Sequence, residues 1–166
     1  MNSSGFEQHD HTTCVSSALK AAEAHCHAHK LQLTPVRKRV LELLLSGHKA
    51  LGAYDILAHL SAEGLGSQPP VAYRALDFLQ THGLVHKVEK LNAWTACMHP
   101  GEIHSPAFMI CSDCDLVAEV ATSPTTGDLG RAADKLGFEI NAAVIEIEGT
   151  CPTCQNATNT GSDTTK

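Results

Sequence analysis

The sequence predicts an α+β chain, with an N-terminal winged helix-turn-helix domain followed by a small αβ domain stapled by metal. Three observations carry this prediction. Helix-period patterns fill the first half and end in a short hairpin. Two Cys-x-x-Cys pairs, Cys111/Cys114 and Cys151/Cys154, bracket a helix-and-strand pattern in the second half. Between the halves, residues 86–119 gather His86, Cys97, His99, Glu102, His104 and Glu119 around the first cysteine pair. Thiolate, imidazole and carboxylate are the donors that borderline metals select, and zinc takes four of them in a tetrahedron.

A chain of 166 residues has room for one sizeable core or two small ones. No apolar run is long enough to span a bilayer, and no basic stretch followed by an apolar block marks a signal peptide. A cytoplasmic location is therefore expected. Seven cysteines, an odd number, argue with that location against a disulfide framework and for thiolate ligands. Charge is uneven: residues 1–90 carry nine Lys/Arg against eight Asp/Glu, and residues 91–166 carry three against ten. A polyanionic partner would meet the first half.

Taken in order, residues 1–11 are polar and read as a flexible N-terminus, and residues 12–98 read as the first domain. A helix is expected over residues 13–29, with Val15, Ala18, Leu19, Ala22 and Cys26 along one side. Its end carries His25, His27 and His29, a solvated polar terminus with at most weak metal affinity. Thr34-Pro35 is an N-cap followed by proline at the first helical position, where a missing N–H costs nothing. Val36, Val40, Leu43 and Leu44 then follow the 3.6-residue period up to Gly47. A third helix covers residues 53–60, and a fourth runs from Pro69-Pro70 to Gly83. At 100° per residue the fourth places Ala72, Ala75, Leu76 and Leu79 on one face, with Arg74 opposite and Tyr73 and Asp77 flanking it. Residues 84–88 and 93–97 are two short strands around a turn at 89–92. This is the element order of a winged helix, whose last helix enters the DNA major groove while the hairpin lies along the backbone. Tyr73 and Arg74 are the candidate DNA-binding residues, near a helix N-terminus whose N–H groups attract phosphate. The cations at 37–39 are candidate phosphate partners.

The second domain is expected over residues 99–155 and a disordered tail over 156–166. Residues 107–111 and 116–120 form a hairpin whose turn presents two thiolates. A helix over 124–136, weakened by Gly127 and Gly130, ends at Gly137. Phe138, Ile140, Ala142 and Val144 alternate as in a half-buried strand, with a change of phase at residues 144–145 that suggests a bulge. The 36 residues between the cysteine pairs form a loop long enough to bring Cys151 and Cys154 back to Cys111 and Cys114. Four thiolates leave no open position, so this site is structural. An αβ unit this small is marginal alone, and dimerisation is its natural remedy.

The runs Leu33-Thr34-Pro35-Val36-Arg37, Pro69-Pro70-Val71-Ala72-Tyr73-Arg74-Ala75-Leu76-Asp77-Phe78-Leu79 and Gly83-Leu84-Val85-His86-Lys87-Val88-Glu89 resemble the ferric uptake regulator superfamily. The Tyr-Arg-Ala-Leu-Asp-Phe-Leu and Val-His-Lys-Val-Glu wording resembles its zinc uptake regulator branch, and the resemblance extends from Leu33 to Cys154. It implies a homodimeric, metal-dependent repressor that binds a double-stranded DNA operator, with no membrane partner and no small-molecule substrate beyond zinc. It also implies that His86, Cys97, His104 and Glu119 hold the sensed zinc, with His99 a rival to His104. That makes two zinc ions per chain, one for each four-ligand set. The chain departs from the family at Val71-Ala72, where Thr-Val is usual, so one hydroxyl is missing at the DNA-facing helix start. Two other readings are an iron or peroxide sensor of the same superfamily and a zinc hydrolase. A catalytic zinc keeps an open position, and four protein ligands without a nearby general base argue for a non-enzyme.

Overall fold

The computed structural model describes Phe6 and residues 11–47, 49–102 and 104–159. The described residues divide into two units, one ending at Gly101 and the other starting at Glu102, with Phe6 grouped in the second; the sequence predicts the boundary at 98/99.

The first unit runs α1 (His11–Ala28), α2 (Pro35–Leu45), α3 (Ala53–Ala62), α4 (Pro69–Thr81), β1 (Val85–Val88) and β2 (Ala93–Ala96). Thr34 caps α2 by accepting from the Arg37 N–H, with Pro35 at the first helical position. The buried residues of α4 are Ala72, Ala75, Leu76 and Leu79, the face that the helical period predicts. They pack against Val40, Leu43 and Leu44 of α2 and Ile56 and Leu60 of α3 in one hydrophobic cluster, to which Ala22 and Cys26 of α1 also belong. Cutting a residue such as Leu76 back to Ala in a core this closed costs about 2–5 kcal/mol. β1 and β2 pair antiparallel, Val85 opposite Ala96 and Val88 opposite Ala93, around a turn in which Asn92 takes a positive φ of 46°. α1 already includes His11, which the sequence placed in the flexible segment; the rest of that segment, apart from Phe6, lies outside the described residues.

The second unit contains β3 (Ser105–Cys111), β4 (Val117–Thr122), α5 (Asp128–Leu136), β5 (Ile145–Gly149) and α6 (Pro152–Asn159). Its sheet has the order β4-β3-β5, with β3 antiparallel to β4 and parallel to β5. A parallel pair needs a long crossover, and α5 supplies it. Gly137 ends α5 in the left-handed conformation, φ 65°, as its position in the sequence predicts.

Three local expectations change. The alternating stretch 138–144 is irregular, and the strand begins only at Ile145. Pairing with β3 runs from Ala107 opposite Ile145 to Cys111 opposite Gly149, so the preceding residues have no strand beside them. Phe138 and Val144 stay 66% and 60% exposed, and the phase change is a strand start rather than a bulge. α5 starts at Asp128, not at Pro124, because residues 123–126 close a turn in which the Thr126 N–H and hydroxyl both donate to the Ser123 carbonyl. Residues 156–159, expected in the tail, continue α6; residues 160–166 lie outside the described residues.

Gly130 explains its own presence in α5, because a Cβ there would fall on the Thr125 carbonyl oxygen of the preceding turn. Helix propensity alone would favour Ala at this position. Gly130→Ala is instead expected to destabilise the second unit by about 1–3 kcal/mol, the usual cost of overpacking. Denaturant midpoints compared with Gly127→Ala, a position with space for a methyl group, check this.

Candidate metal centres and nucleic-acid interface

Cys111 ends β3, and Cys114 lies in the turn that follows, where Asp115 takes φ 58° and returns its N–H to the Cys111 carbonyl at 3.0 Å. The parallel register sets Cys111 opposite Gly149, and the Ser112 N–H bonds the Gly149 carbonyl at 2.8 Å. Cys151 and Cys154, at the start of α6, are thereby delivered to the first pair. All four sulfurs lie within 4.8 Å of one another.

The Cys114 and Cys151 sulfurs are 3.8 Å apart, and none of the four cysteines is in a disulfide. A disulfide needs about 2.05 Å. Four sulfurs about 2.3 Å from one tetrahedral zinc stand about 3.8 Å from each other. The spacing fits a metal and excludes a disulfide.

Electrostatics agree. The Cys151 N–H donates to the Cys111 sulfur at 3.3 Å and holds that thiol down at about 6. Cys154 is pushed up to about 12, first by its hydrogen bond with Cys151. Neighbouring sulfurs cannot all be thiolates without a cation among them, and a divalent ion supplies that charge.

The other four predicted ligands fall two to each unit. In the first unit, His86 is on β1 and Cys97 follows β2, its N–H bonded to the Leu84 carbonyl at 3.0 Å. The His86 ring nitrogen and Cys97 sulfur lie within 4.8 Å. The backbone N–H of His99 also donates to the Cys97 sulfur, at 3.4 Å. In the second unit, His104 Nε2 meets Glu119 Oε1 of β4 at 2.9 Å, with the two side chains 10% and 2% exposed. His104 Nδ1 lies 2.9 Å from the Glu102 carbonyl, which orients the ring with Nε2 toward Glu119 and leaves Nε2 as the atom available to a metal. Of the three histidines near the end of α1, His25 and His29 stack at 4.3 Å, and His29 Nδ1 is taken by the His25 carbonyl.

On α4, Tyr73 is 44% exposed, and Arg74 and Asp77 are also exposed. The helix start differs from expectation. Pro69 and Pro70 have no N–H to offer, and the Val71 N–H is used by the Gln68 carbonyl at 2.9 Å. Anion binding on this helix therefore falls to side chains. The cations at 37–39 are engaged within the unit. Arg37 lies 3.6 Å over the Phe78 ring and donates to the Gln32 carbonyl. Lys38 pairs with Glu23 at 2.6 Å, and Arg39 with Glu63 at 2.6 Å and Glu42 at 3.1 Å. Hydrogen bonding to Glu63 raises the Arg39 pKa, and the same bond lowers that of Glu63. Glu42 is an i,i+3 neighbour of Arg39 on α2, but periodicity could not show the pairings with Glu23 and Glu63, which come from other parts of the chain.

These features define a winged-helix protein with a cysteine-stapled αβ domain. The chain belongs to the ferric uptake regulator family, whose model matches residues 28–148. It is similar to the zinc uptake regulation protein of Escherichia coli (strain K12), 36% identical over 143 residues, which are 86% of this chain and 84% of the relative. A solved zinc uptake regulator complexed with zinc and DNA superposes with a TM-score of 0.80 at 35% identity, covering 87% of this chain and 97% of that one. The holo XcZur crystal structure gives 0.74 at 38% identity, covering 84% and 98%. Among the described residues no helix is long and apolar enough to cross a membrane.

Removing metal with a strong chelator, or replacing Cys111 or Cys154 with Ser, is expected to unfold the second unit and spare the first. The stabilisation lost is that of a structural zinc site, of order 10 kcal/mol at neutral pH. Amide hydrogen exchange followed by mass spectrometry across residues 105–154 checks this; protection that survives metal removal would rule out a structural site.

Proposed function

We propose that the chain is a zinc-responsive repressor that binds palindromic operator DNA as a homodimer. The observation that carries the reading is the pairing of two four-donor sets with a winged helix in a chain 36% identical to zinc uptake regulation proteins. Cys111, Cys114, Cys151 and Cys154 hold a structural zinc. His86, Cys97, His104 and Glu119 hold the sensed one, for a total of about two per chain.

Two of the sensing ligands belong to each unit. Joining them on one ion ties the winged helix to the αβ domain and restricts where α4 can stand. In a dimer this fixes the separation of two α4 helices so that both can enter major grooves. Metal-free chain samples other separations, and its DNA affinity falls with the competent fraction. Arg74 reads a base edge, and Tyr73 contacts a base or phosphate. The exposed apolar residues Leu129, Leu136, Phe138 and Val144 of the second unit supply the surface that a second copy covers. The Cys97 thiolate favours zinc over iron.

His104→Ala and Glu119→Gln are each expected to lower bound zinc from about two to about one per chain and to cut operator affinity at least about tenfold, an effect worth roughly 1.4 kcal/mol. His99→Ala is expected to change neither. Elemental analysis paired with fluorescence anisotropy on a duplex selected from a random pool checks this. Equal promotion of DNA binding by ferrous iron would favour an iron sensor instead.

A further inference from the structure

Trp94 is the single tryptophan of the chain, and it sits where the wing meets α4. Its backbone N–H and carbonyl both bond Leu51, in the link between α2 and α3, at 2.9 Å. On β1 it is paired with Lys87, whose ammonium lies 5.8 Å from the indole centre. The indole N–H donates to Gln80 Oε1 at 3.1 Å. The ring also meets Tyr73 edge-on, centroids 6.2 Å apart and planes at 79°. Tyr73 and Gln80 are seven residues apart, hence on one face of α4. One side chain, 7% exposed, thus touches α4 at two places two turns apart and the wing at a third.

Packing alone does not account for these contacts. An indole needs only apolar surroundings and one acceptor to be buried. Here the acceptor is an exposed side chain of α4, and the neighbours are an exposed tyrosine and a wing lysine. Edge-on aromatic contact and a cation over the ring both have preferred geometries, so Trp94 holds Tyr73 and Lys87 in a defined relation. Lys87 also pairs with Glu89 at 2.8 Å, and that carboxylate is 68% exposed, where a phosphate can replace it.

We propose that Trp94 is a positioning residue for DNA binding, one that fixes the Tyr73 ring of α4 and the Lys87 ammonium of the wing as a single preformed surface for duplex DNA. The proposal rests on the reading of the chain as a DNA-binding protein. Its physical basis is preorganisation: a side chain already held does not lose its freedom on binding.

The test is a double-mutant cycle in zinc-loaded, full-length protein, measured on a duplex selected from a random pool by the wild type. Trp94→Phe and Gln80→Leu are each expected to weaken binding about three- to tenfold, the cost of ordering one freed side chain. In a Tyr73→Ala background, Trp94→Phe is expected to cost clearly less than in the wild type, because one of the two residues it positions is gone. Lys87→Gln is expected to reduce the salt slope by about one phosphate contact, which Gln80→Leu leaves in place. Gln80 is exposed, so its variant reports even where Trp94→Phe perturbs folding. Full affinity in Gln80→Leu, or additive losses from Trp94→Phe and Tyr73→Ala, overturns the proposal and leaves DNA binding standing. Failure of the wild type to select any duplex overturns both.

Discussion

On the proposed reading, the second unit depends on the closing of four sulfurs around a metal. Among the described residues its buried apolar side chains, the cysteines aside, are Pro106, Ala107, Phe108, Ile110, Val117, Ala118, Pro124 and Ala133, a small set for a three-stranded sheet and two helices. A core of that size stabilises little once chain entropy is counted, and a metal is the usual supplement. The four sulfurs lie where such a supplement would act. The Cys111–Gly149 register, the Ser112–Gly149 bond and the Cys151 N–H on the Cys111 sulfur tie β3, β5 and α6 together at one end of the sheet. Parallel pairing between β3 and β5 spans a long stretch of chain, and the cluster sits at the end of that pairing.

The first unit is organised differently. α2, α3 and α4 close on a continuous apolar cluster, and the ion pairs of Lys38 and Arg39 lie on its surface. This contrast gives the proposed switch a physical sense. A unit that stands on its own core can answer the proposed sensing ion without unfolding, while the unit that holds the four-cysteine cluster is the one whose folding the proposal ties to metal.

Much of this was legible in the sequence. The apolar face of α4 follows from a 100° period, and its four buried residues are those the period names. The matched cysteine pairs specify their own cluster because a Cys-x-x-Cys turn already sets two sulfurs on one side. What was not legible depends on neighbours. The alternation at 138–144 records which way side chains point, yet it cannot tell whether another strand lies alongside, and none does among the described residues. Basic residues at 37–39 suggested phosphate contacts, and only the fold shows the carboxylates and the aromatic ring that engage them. Two prolines mark the start of α4 correctly and, by the same chemistry, remove the amides that a phosphate would have used. Tyr73 and Arg74 were singled out by their face, whereas Trp94 gave no sign of its role because its partners lie on α4 and the wing.

The position of β5 has a consequence for solubility. It is an edge strand, and Ile147 is 48% exposed on it. An apolar edge of this kind is a template for runaway strand addition between chains. In the sequence Ile145-Glu146-Ile147-Glu148, carboxylates alternate with the isoleucines, so a second identical edge in register would bring like charges together. The strand is guarded against its own kind at neutral pH.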